Sequence, residues 1–272
     1  MMEQTKAKGK RERKLRILLT NDDGIDAPGL AALAEELEKL GELLVIAPER
    51  EMSGSGHAFT KRFPLRLRKV YKGGKFFGYA TSGTPADSVK LGLYLARREV
   101  DWVVSGLNEG RNAGVDIFYS GTVSGALEGA IDGFPAAAFS LDIQDYGGEP
   151  KFAVAAELAR QLLEEFIARG VPPRVCLNVN IPNLERSEIR GIKVVRQALQ
   201  RYEDHFEVRE DPFGEPYFWL TGAIVSEDRK EETDLAALKG KEGVITITPL
   251  KIELTDQELL RELERWSWKI GS

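Results

Sequence analysis

Arg16-Ile17-Leu18-Leu19-Thr20-Asn21-Asp22-Asp23-Gly24, a helical pattern from Leu30 to Leu40, and then Leu43-Leu44-Val45-Ile46-Ala47 decide the fold. The first run is short and apolar, as a strand buried on both faces is. Asn21 to Gly24 breaks it. Asp26 reads as an N-cap, Pro28 fits the first helical turn, and Gly41 closes the helix. Strand, helix and strand in so short a span imply parallel neighbours joined by a right-handed crossover.

The alternation continues outward. Residues 48–62 are polar and rich in Gly and Ser, a loop. Pro64–Val70 and Lys75–Ala80 flank Gly73-Gly74 as a hairpin. Thr84-Pro85-Ala86-Asp87 caps a helix. Val100–Ser105, Ala136–Leu141 and Val175–Asn180 read as further buried strands, with helices over Ser124–Asp132 and Lys151–Ala168. The expected architecture is a three-layer α/β/α, doubly wound, mostly parallel Rossmann-like sheet spanning residues 16–190. After that the pattern changes. Strand-like runs near Val194 and Tyr217–Trp219 flank a charged, turn-rich stretch over 203–216. A short strand follows at Val244–Thr248, and Thr255-Asp256-Gln257-Glu258 opens a helix through Trp268. Residues 191–272 are expected to form a hairpin and helix appendage that packs on another subunit.

Composition narrows the chemistry. One cysteine, Cys176, in 272 residues excludes an internal disulfide framework and a cysteine-rich zinc site, and the two histidines, His57 and His205, leave little for a histidine-based one. Any metal must be held mostly by oxygen. No apolar run is long enough to span a bilayer. The net charge of −5 is uneven: residues 1–16 carry +5, leaving −10 for the rest. Residues 1–15 read as a solvated basic tail without the apolar core of a secretory signal, so the expected compartment is the cytoplasm. The acidic body argues against a broad nucleic-acid-binding face.

In an open parallel sheet, ligands gather beyond the carboxyl ends of the strands. Asp22 and Asp23 follow the first strand, Ser53 the second, and Asn108 the third. Two carboxylates, a hydroxyl and an amide oxygen form a hard donor set suited to one Mg²⁺ or Mn²⁺. Singly each is an ordinary turn or cap residue, so the argument rests on their shared placement. Tyr119-Ser120-Gly121-Thr122-Val123-Ser124 leads into a helix, where small residues and hydroxyls can seat a phosphate. Asn21 occupies the position at which a haloacid-dehalogenase-type phosphatase needs its nucleophilic Asp. The chain holds neither a P-loop nor a Gly-x-Gly-x-x-Gly turn. His57 and His205 read as structural, and Cys176 as core.

Leu19-Thr20-Asn21-Asp22-Asp23-Gly24-Ile25, Ala47-Pro48 with Ser53-Gly54, Ser105-Gly106-Leu107-Asn108, and Tyr119 to Ala126 together resemble the SurE family of stationary-phase survival proteins. The similarity extends from Arg16 to Thr233–Leu238 and the Ile-Thr-Pro-Leu that follows. The resemblance implies a divalent-metal-dependent 5′-nucleotidase that hydrolyses nucleoside 5′-monophosphates, with 3′-monophosphates and short polyphosphate as further candidate substrates. It implies Asp22, Asp23, Ser53 and Asn108 as metal ligands, with the two aspartates catalytic, and Ser120, Gly121, Thr122 and Ser124 as the phosphate seat. It also implies a homodimer or homotetramer built through exchanged C-terminal elements. It names no settled general acid, leaving His57 and Asp23 as candidates. The alternative is a non-catalytic, nucleotide-binding regulatory protein using the same crevice.

Overall fold

The computed structural model describes residues 14–226 and 232–268; residues 1–13, most of the basic stretch, lie outside them. In chain order the elements are β1 (Leu15–Thr20), α1 (Pro28–Leu37), β2 (Gly41–Pro48), β3 (Leu67–Lys72), β4 (Lys75–Thr81), α2 (Pro85–Leu95), β5 (Trp102–Glu109), α3 (Gly121–Ile131), β6 (Ala136–Asp142), α4 (Ile143–Tyr146), α5 (Phe152–Arg169), β7 (Val175–Pro182), β8 (Gly191–Val194), β9 (Arg201–Glu210), β10 (Pro216–Ser226), α6 (Asp234–Lys239), β11 (Val244–Lys251) and α7 (Gln257–Leu263). Nine strands form one sheet in the order β3-β4-β2-β1-β5-β6-β7-β11-β8, and β9 pairs with β10 as a separate antiparallel hairpin. The strands from β4 through β7 in that order are parallel. β3 and β11 run antiparallel to β4 and β7. From β1 the chain winds out to β2 and β4, then returns to β5 on the other side of β1. The winding reverses between β1 and β5, and this switch point opens a crevice at their carboxyl ends.

Both faces of the central strands are covered, which explains their unbroken apolar runs. Ile17, Leu19, Trp102, Val104 and Phe139 belong to one buried cluster with residues of α1 and α5. Leu18, Val103, Ala136 and Ala138 belong to the other, with residues of α2 and α3. The result is the three-layer arrangement expected. Cys176 is fully buried on β7, where burial pushes its thiol up to about 12, so it stays protonated.

Several local expectations need correction. The N-cap of α1 is Ala27, with no side-chain bond, and Asp26 does not cap it. Pro28 at the first position has no N–H to satisfy, which removes part of the need. Gly41 starts β2 instead of closing α1, because β2 lies so close to β1 there that a Cβ would sit 2.1 Å from the Leu15 carbonyl oxygen. β5 continues to Glu109 through a register irregularity between Ser105 and Asn108, so Asn108 is a strand residue. α3 begins at Gly121, three residues early, because Ser120 Oγ accepts the Val123 N–H as its cap. The charged stretch 203–216 is largely strand: β9 covers 201–210. Its side chains are mostly exposed, so charge there carries no turn information. The last helix starts after Asp256, not Thr255, and ends at Leu263, well short of Trp268. Two features match expectation closely. Thr84 and Asp87 form a reciprocal capping box at α2. Gly73 and Gly74 both have positive φ, as a two-residue hairpin turn of the primed type requires.

α3 approaches the sheet closely through Gly125 and Gly129. A Cβ on Gly129 would lie 2.5 Å from Val103 Cβ, and one on Gly125 would lie 2.9 Å from Thr20 Cγ2. Alanine in a free helix is favoured over glycine by about 1 kcal/mol. Here the clash with a β-branched core residue should outweigh that gain. Gly129→Ala is expected to destabilise the fold by about 1–3 kcal/mol, read as a lowered melting temperature. An unchanged or raised melting temperature would show that α3 has slack against β5.

Candidate active site

A cavity of about 560 Å³ opens at the β1–β5 switch point, and its walls include Asp22, Asp23, Ser53 and Asn108. The sequence therefore placed all four oxygen donors in one crevice. Three loops are stitched together to make it. Met52 N–H donates to the Asp22 carbonyl oxygen at 2.7 Å, bringing the loop after β2 against the loop after β1. Ile25 N–H donates to the Pro48 carbonyl oxygen at 2.8 Å, and Gly56 N–H to that of Tyr119 at 3.0 Å. Asn21 is buried and its amide nitrogen donates to Gly24 O at 3.0 Å, holding the turn that presents the two aspartates. The Asn21 side chain is thus a brace for the turn, which agrees with the exclusion of an aspartyl-nucleophile design.

Asp22 is almost wholly buried against the start of α3. The Thr122 hydroxyl donates to its Oδ1. The nearby backbone N–H groups of Gly121 and Thr122 also favour the charged form of this carboxylate. Burial raises the Asp22 pKa, and those donors oppose the rise without cancelling it. Gly121 is required by this contact: a Cβ there would lie 2.7 Å from Asp22 Cβ and 2.8 Å from its Oδ2. Asp23 is more open. Burial first, and then the neighbouring charge of Asp22, push its carboxyl up to about 7, with Glu109 and Glu51 adding to the repulsion. The Glu109 N–H, 3.4 Å away, gives only weak relief.

The remaining donors are oriented by their other bonds. Asn108 Nδ2 donates to Gly110 O at 2.7 Å, which leaves Oδ1 on the side of Thr122, 3.3 Å from its hydroxyl. Ser53 Oγ–H donates to Glu51 at 2.8 Å, so the lone pairs of the hydroxyl stay free. Five carboxylates line the cavity, those of Asp22, Asp23, Glu51, Glu109 and Asp116, and among the described residues no Lys, Arg or His does. Among the described residues no three His, Cys, Asp or Glu side chains form a cage of their own. The donor set is two carboxylates completed by an amide and a hydroxyl, which is hard oxygen chemistry. Two desolvated carboxylates facing uncompensated acidic neighbours are a poor arrangement for a bare protein and a good one for a divalent cation.

The helix-start residues divide. Ser120 lines the cavity, and its hydroxyl, which caps Val123 through oxygen, keeps its proton free to donate. The hydroxyl of Thr122 is committed to Asp22. Ser124 faces a second, largely apolar cavity of about 580 Å³, as does His57. His57 Nε2 bonds Glu128 at 2.7 Å, beside the Lys90 ammonium on the same carboxylate. Burial works to raise the Glu128 pKa, but the bonds from His57 and Lys90 outweigh it and hold the carboxylate ionised. His57 thus braces the 48–62 loop and lines this second cavity, not the one that holds the aspartates, and His205 lies exposed on β9.

Sequence reading missed several contributors. Glu51 and Glu109 lie within stretches already singled out, and their proximity to Ser53 and Asn108 was the available signal. Asn112 was not signalled at all. Its N–H donates to Asn180 Oδ1 at 2.8 Å and its amide nitrogen to Ser140 Oγ at 2.9 Å, while Asn178 donates to its carbonyl at 2.7 Å. The C-terminal region supports the same loop. Asp234 accepts from Gly114 N and Ala198 N at 2.9 Å each, Gln200 accepts from Val115 N at 2.8 Å, and the Tyr202 hydroxyl donates to Asp116 at 2.7 Å. Burial raises the Asp234 pKa against these N–H donors.

Residues 17–204 match the family model described as survival protein SurE. A protein of Fervidobacterium nodosum named 5'-nucleotidase SurE is 46% identical over 255 residues, covering 92% of this chain and 96% of the relative. One of the same name from Chlorobium phaeobacteroides is 42% identical over 258 residues, covering 94% and 98%. The crystal structure of the SurE protein from Aquifex aeolicus superposes with a TM-score of 0.77 at 39% identity, covering 92% of this chain and 98% of that one. Fold, site placement and sequence agree: the chain belongs to the SurE family.

Proposed function

We propose that this chain is a phosphatase that hydrolyses nucleoside 5′-monophosphates to nucleoside and phosphate. Asp22, Asp23, Ser53 and Asn108 would hold one divalent cation, Mg²⁺ or Mn²⁺. The observation that carries the reading is the Asp22–Asp23 pair, the first buried and the second half-buried, in a cavity of about 560 Å³ lined by carboxylates and, among the described residues, by no basic side chain. The relatives' name, 5'-nucleotidase SurE, at 41–46% identity supplies the substrate class. When bound, the cation supplies charge to polarise a phosphoryl oxygen and to acidify a water.

The chain's own residues do the rest. Thr122 and the N–H groups of Gly121 and Thr122 fix the Asp22 carboxylate, so a ligand is preorganised before substrate arrives. Ser120 is placed to donate its hydroxyl proton to a phosphoryl oxygen. In the phosphate seat, Gly121 supplies the close backbone approach and Thr122 acts through Asp22. Ser124, which faces the other cavity, holds the helix start behind them. Asp23, with its raised pKa, can hold or pass a proton near neutral pH. We also infer that residues 191–272 build a homodimer or homotetramer. Large apolar side chains of the β9–β10 hairpin are exposed, including Phe206, Val208, Phe218 and Trp219, as are Trp266 and Trp268 beyond α7. Three-prime monophosphates and short polyphosphate share the phosphoryl end that the site reads, and they belong in the same substrate screen. A cytoplasmic setting fits this substrate class, and among the described residues no helix is long and apolar enough to cross a membrane.

Phosphate release from AMP is the direct test. Activity should require Mn²⁺ or Mg²⁺, vanish with EDTA, and fall by at least about 10²-fold in Asp22→Asn. Gly121→Ala should be nearly as damaging through displacement of Asp22. Metal-dependent nucleotide binding without turnover would instead favour the non-catalytic alternative, and turnover in EDTA would refute the site.

A second outcome concerns the metal-free chain. The Asp23 carboxyl is raised in the folded state to about 7 from an unfolded value of 3.8, so the folded state binds its proton more tightly. Its contribution to stability is therefore present at low pH and lost as pH rises from about 4 through about 7. The EDTA-treated protein should lose melting temperature between about pH 5 and about pH 8. Asp23→Asn should show a shallower decline, and Mn²⁺ should restore stability at the upper end. A decline of equal steepness in Asp23→Asn would contradict the assignment.

A further inference from the structure

We propose that the β3–β4 hairpin and the segment leading into it form a binding surface for single-stranded nucleic acid. Cations there would meet the phosphates, and Tyr71 and Phe76 would stack the bases. From Met52 to Ala86 the chain carries seven Lys and Arg side chains and no Asp or Glu, although its net charge is −5. Outside this segment the remaining residues sum to −12. The charge is thus unevenly distributed along the chain, and an overall acidic balance conceals one basic hairpin edge.

One of the seven is used internally: Lys72 Nζ donates to Ile25 O at 3.0 Å and lies over the Phe77 ring. The other six, Lys61, Arg62, Arg66, Arg68, Lys69 and Lys75, are exposed, and none forms an ion pair among the described residues. Interleaved with them is an aromatic ladder. Tyr71 opposes Phe76 across the hairpin and Lys69 opposes Tyr79. The rings of Tyr71, Phe76 and Tyr79 meet edge to face at 5.8 and 5.2 Å. Tyr71 is 59% exposed, Phe76 48%, and Phe63, beside Arg62, 77%.

β3 is one of the two edge strands of the sheet, and lysines on an edge commonly serve only to block pairing with another chain. That purpose explains the cations but not the rings, since exposed aromatics on a sheet edge promote association. A ligand presenting both phosphates and flat apolar faces explains both at once. A membrane surface would also attract the charge. However, the hairpin tip is Gly73-Gly74, with no side chain to insert, and the ladder residues belong to the strands behind it.

The test uses the full-length chain in EDTA and a 5′-fluorescein oligouridylate of about 15 nucleotides without a terminal phosphate. Binding should be read by anisotropy. The affinity should fall about 10²-fold between about 50 and about 200 mM KCl, as neutralising four to six phosphates of a single strand requires. Arg66→Gln/Arg68→Gln/Lys69→Gln should weaken it at least about tenfold, and Tyr71→Ala/Phe76→Ala should do the same by loss of stacking. The charge variant should melt as the parent does, and the ring variant, which loses the edge-to-face contacts, should stay folded at the assay temperature as read by circular dichroism. A chain lacking residues 1–13 should keep most of the affinity. The proposal fails if no salt-dependent binding is seen. It also fails if binding disappears with residues 1–13 and survives in both hairpin variants. Capture by phosphatidylserine vesicles that the oligonucleotide cannot displace would reassign the surface to anionic lipid.

Discussion

Two adjacent aspartates at the end of a buried central strand set the terms for the rest of the structure. Asp22 and Asp23 sit where the sheet reverses its winding; burial raises the cost of ionising both, and the charge of Asp22 adds to that cost at Asp23. Like charges so placed need outside compensation. Part of it is built in: the first turn of α3 turns two backbone N–H groups and a threonine hydroxyl onto Asp22. The rest has no source among the described residues, none of whose basic side chains lines the cavity. A divalent cation held by oxygen is the counter-charge that the donor set suits.

That requirement propagates into packing. For α3 to place its first turn on Asp22, the helix must lie close to β1 and β5, and Gly121, Gly125 and Gly129 clear the path at successive turns. The loops after β1, β2 and β5 are then fastened to one another by backbone hydrogen bonds, so Ser53 and Asn108 cannot drift from the aspartates independently. The C-terminal region closes the far side. Asp234, Gln200 and Tyr202 hold the loop between β5 and α3, whose Asp116 forms part of the cavity wall. Those residues lie at the base of the exposed hairpin, so assembly through that hairpin has a short physical route to the site.

Much of this was legible in the sequence, for identifiable reasons. Strands buried on both faces advertise themselves as unbroken apolar runs, and β1, β2 and β6 were read within a few residues of their ends. Placing polar clusters at consecutive strand ends was enough to assemble all four oxygen donors. Errors fell where local chemistry is ambiguous. Ser124 looked like the start of α3 because Gly121 and Thr122 have low helix propensity, yet their contact with Asp22 draws the helix three residues further forward. Asp26 had the composition of a cap and did not act as one. β9 was hidden because its alternation of Tyr202, Phe206 and Val208 is broken by Asp204 and flanked by charge, and it read as a polar excursion. The Asn112–Asn178–Asn180 network was out of reach, since Asn112 lies more than sixty residues from the other two and meets them only through the sheet.

Net charge proved a poor guide to surface character, because the acidic total averages a carboxylate-lined cavity with a basic sheet edge. The cavity is the feature on which the functional reading stands, and its claim is structural before it is kinetic. Anomalous diffraction from crystals of this chain soaked in Mn²⁺ tests it most directly. The expected result is one peak per subunit, bounded by carboxylate oxygens of Asp22 and Asp23, the Asn108 amide oxygen and the Ser53 hydroxyl. A peak elsewhere, or an empty cavity at saturating Mn²⁺, would contradict it.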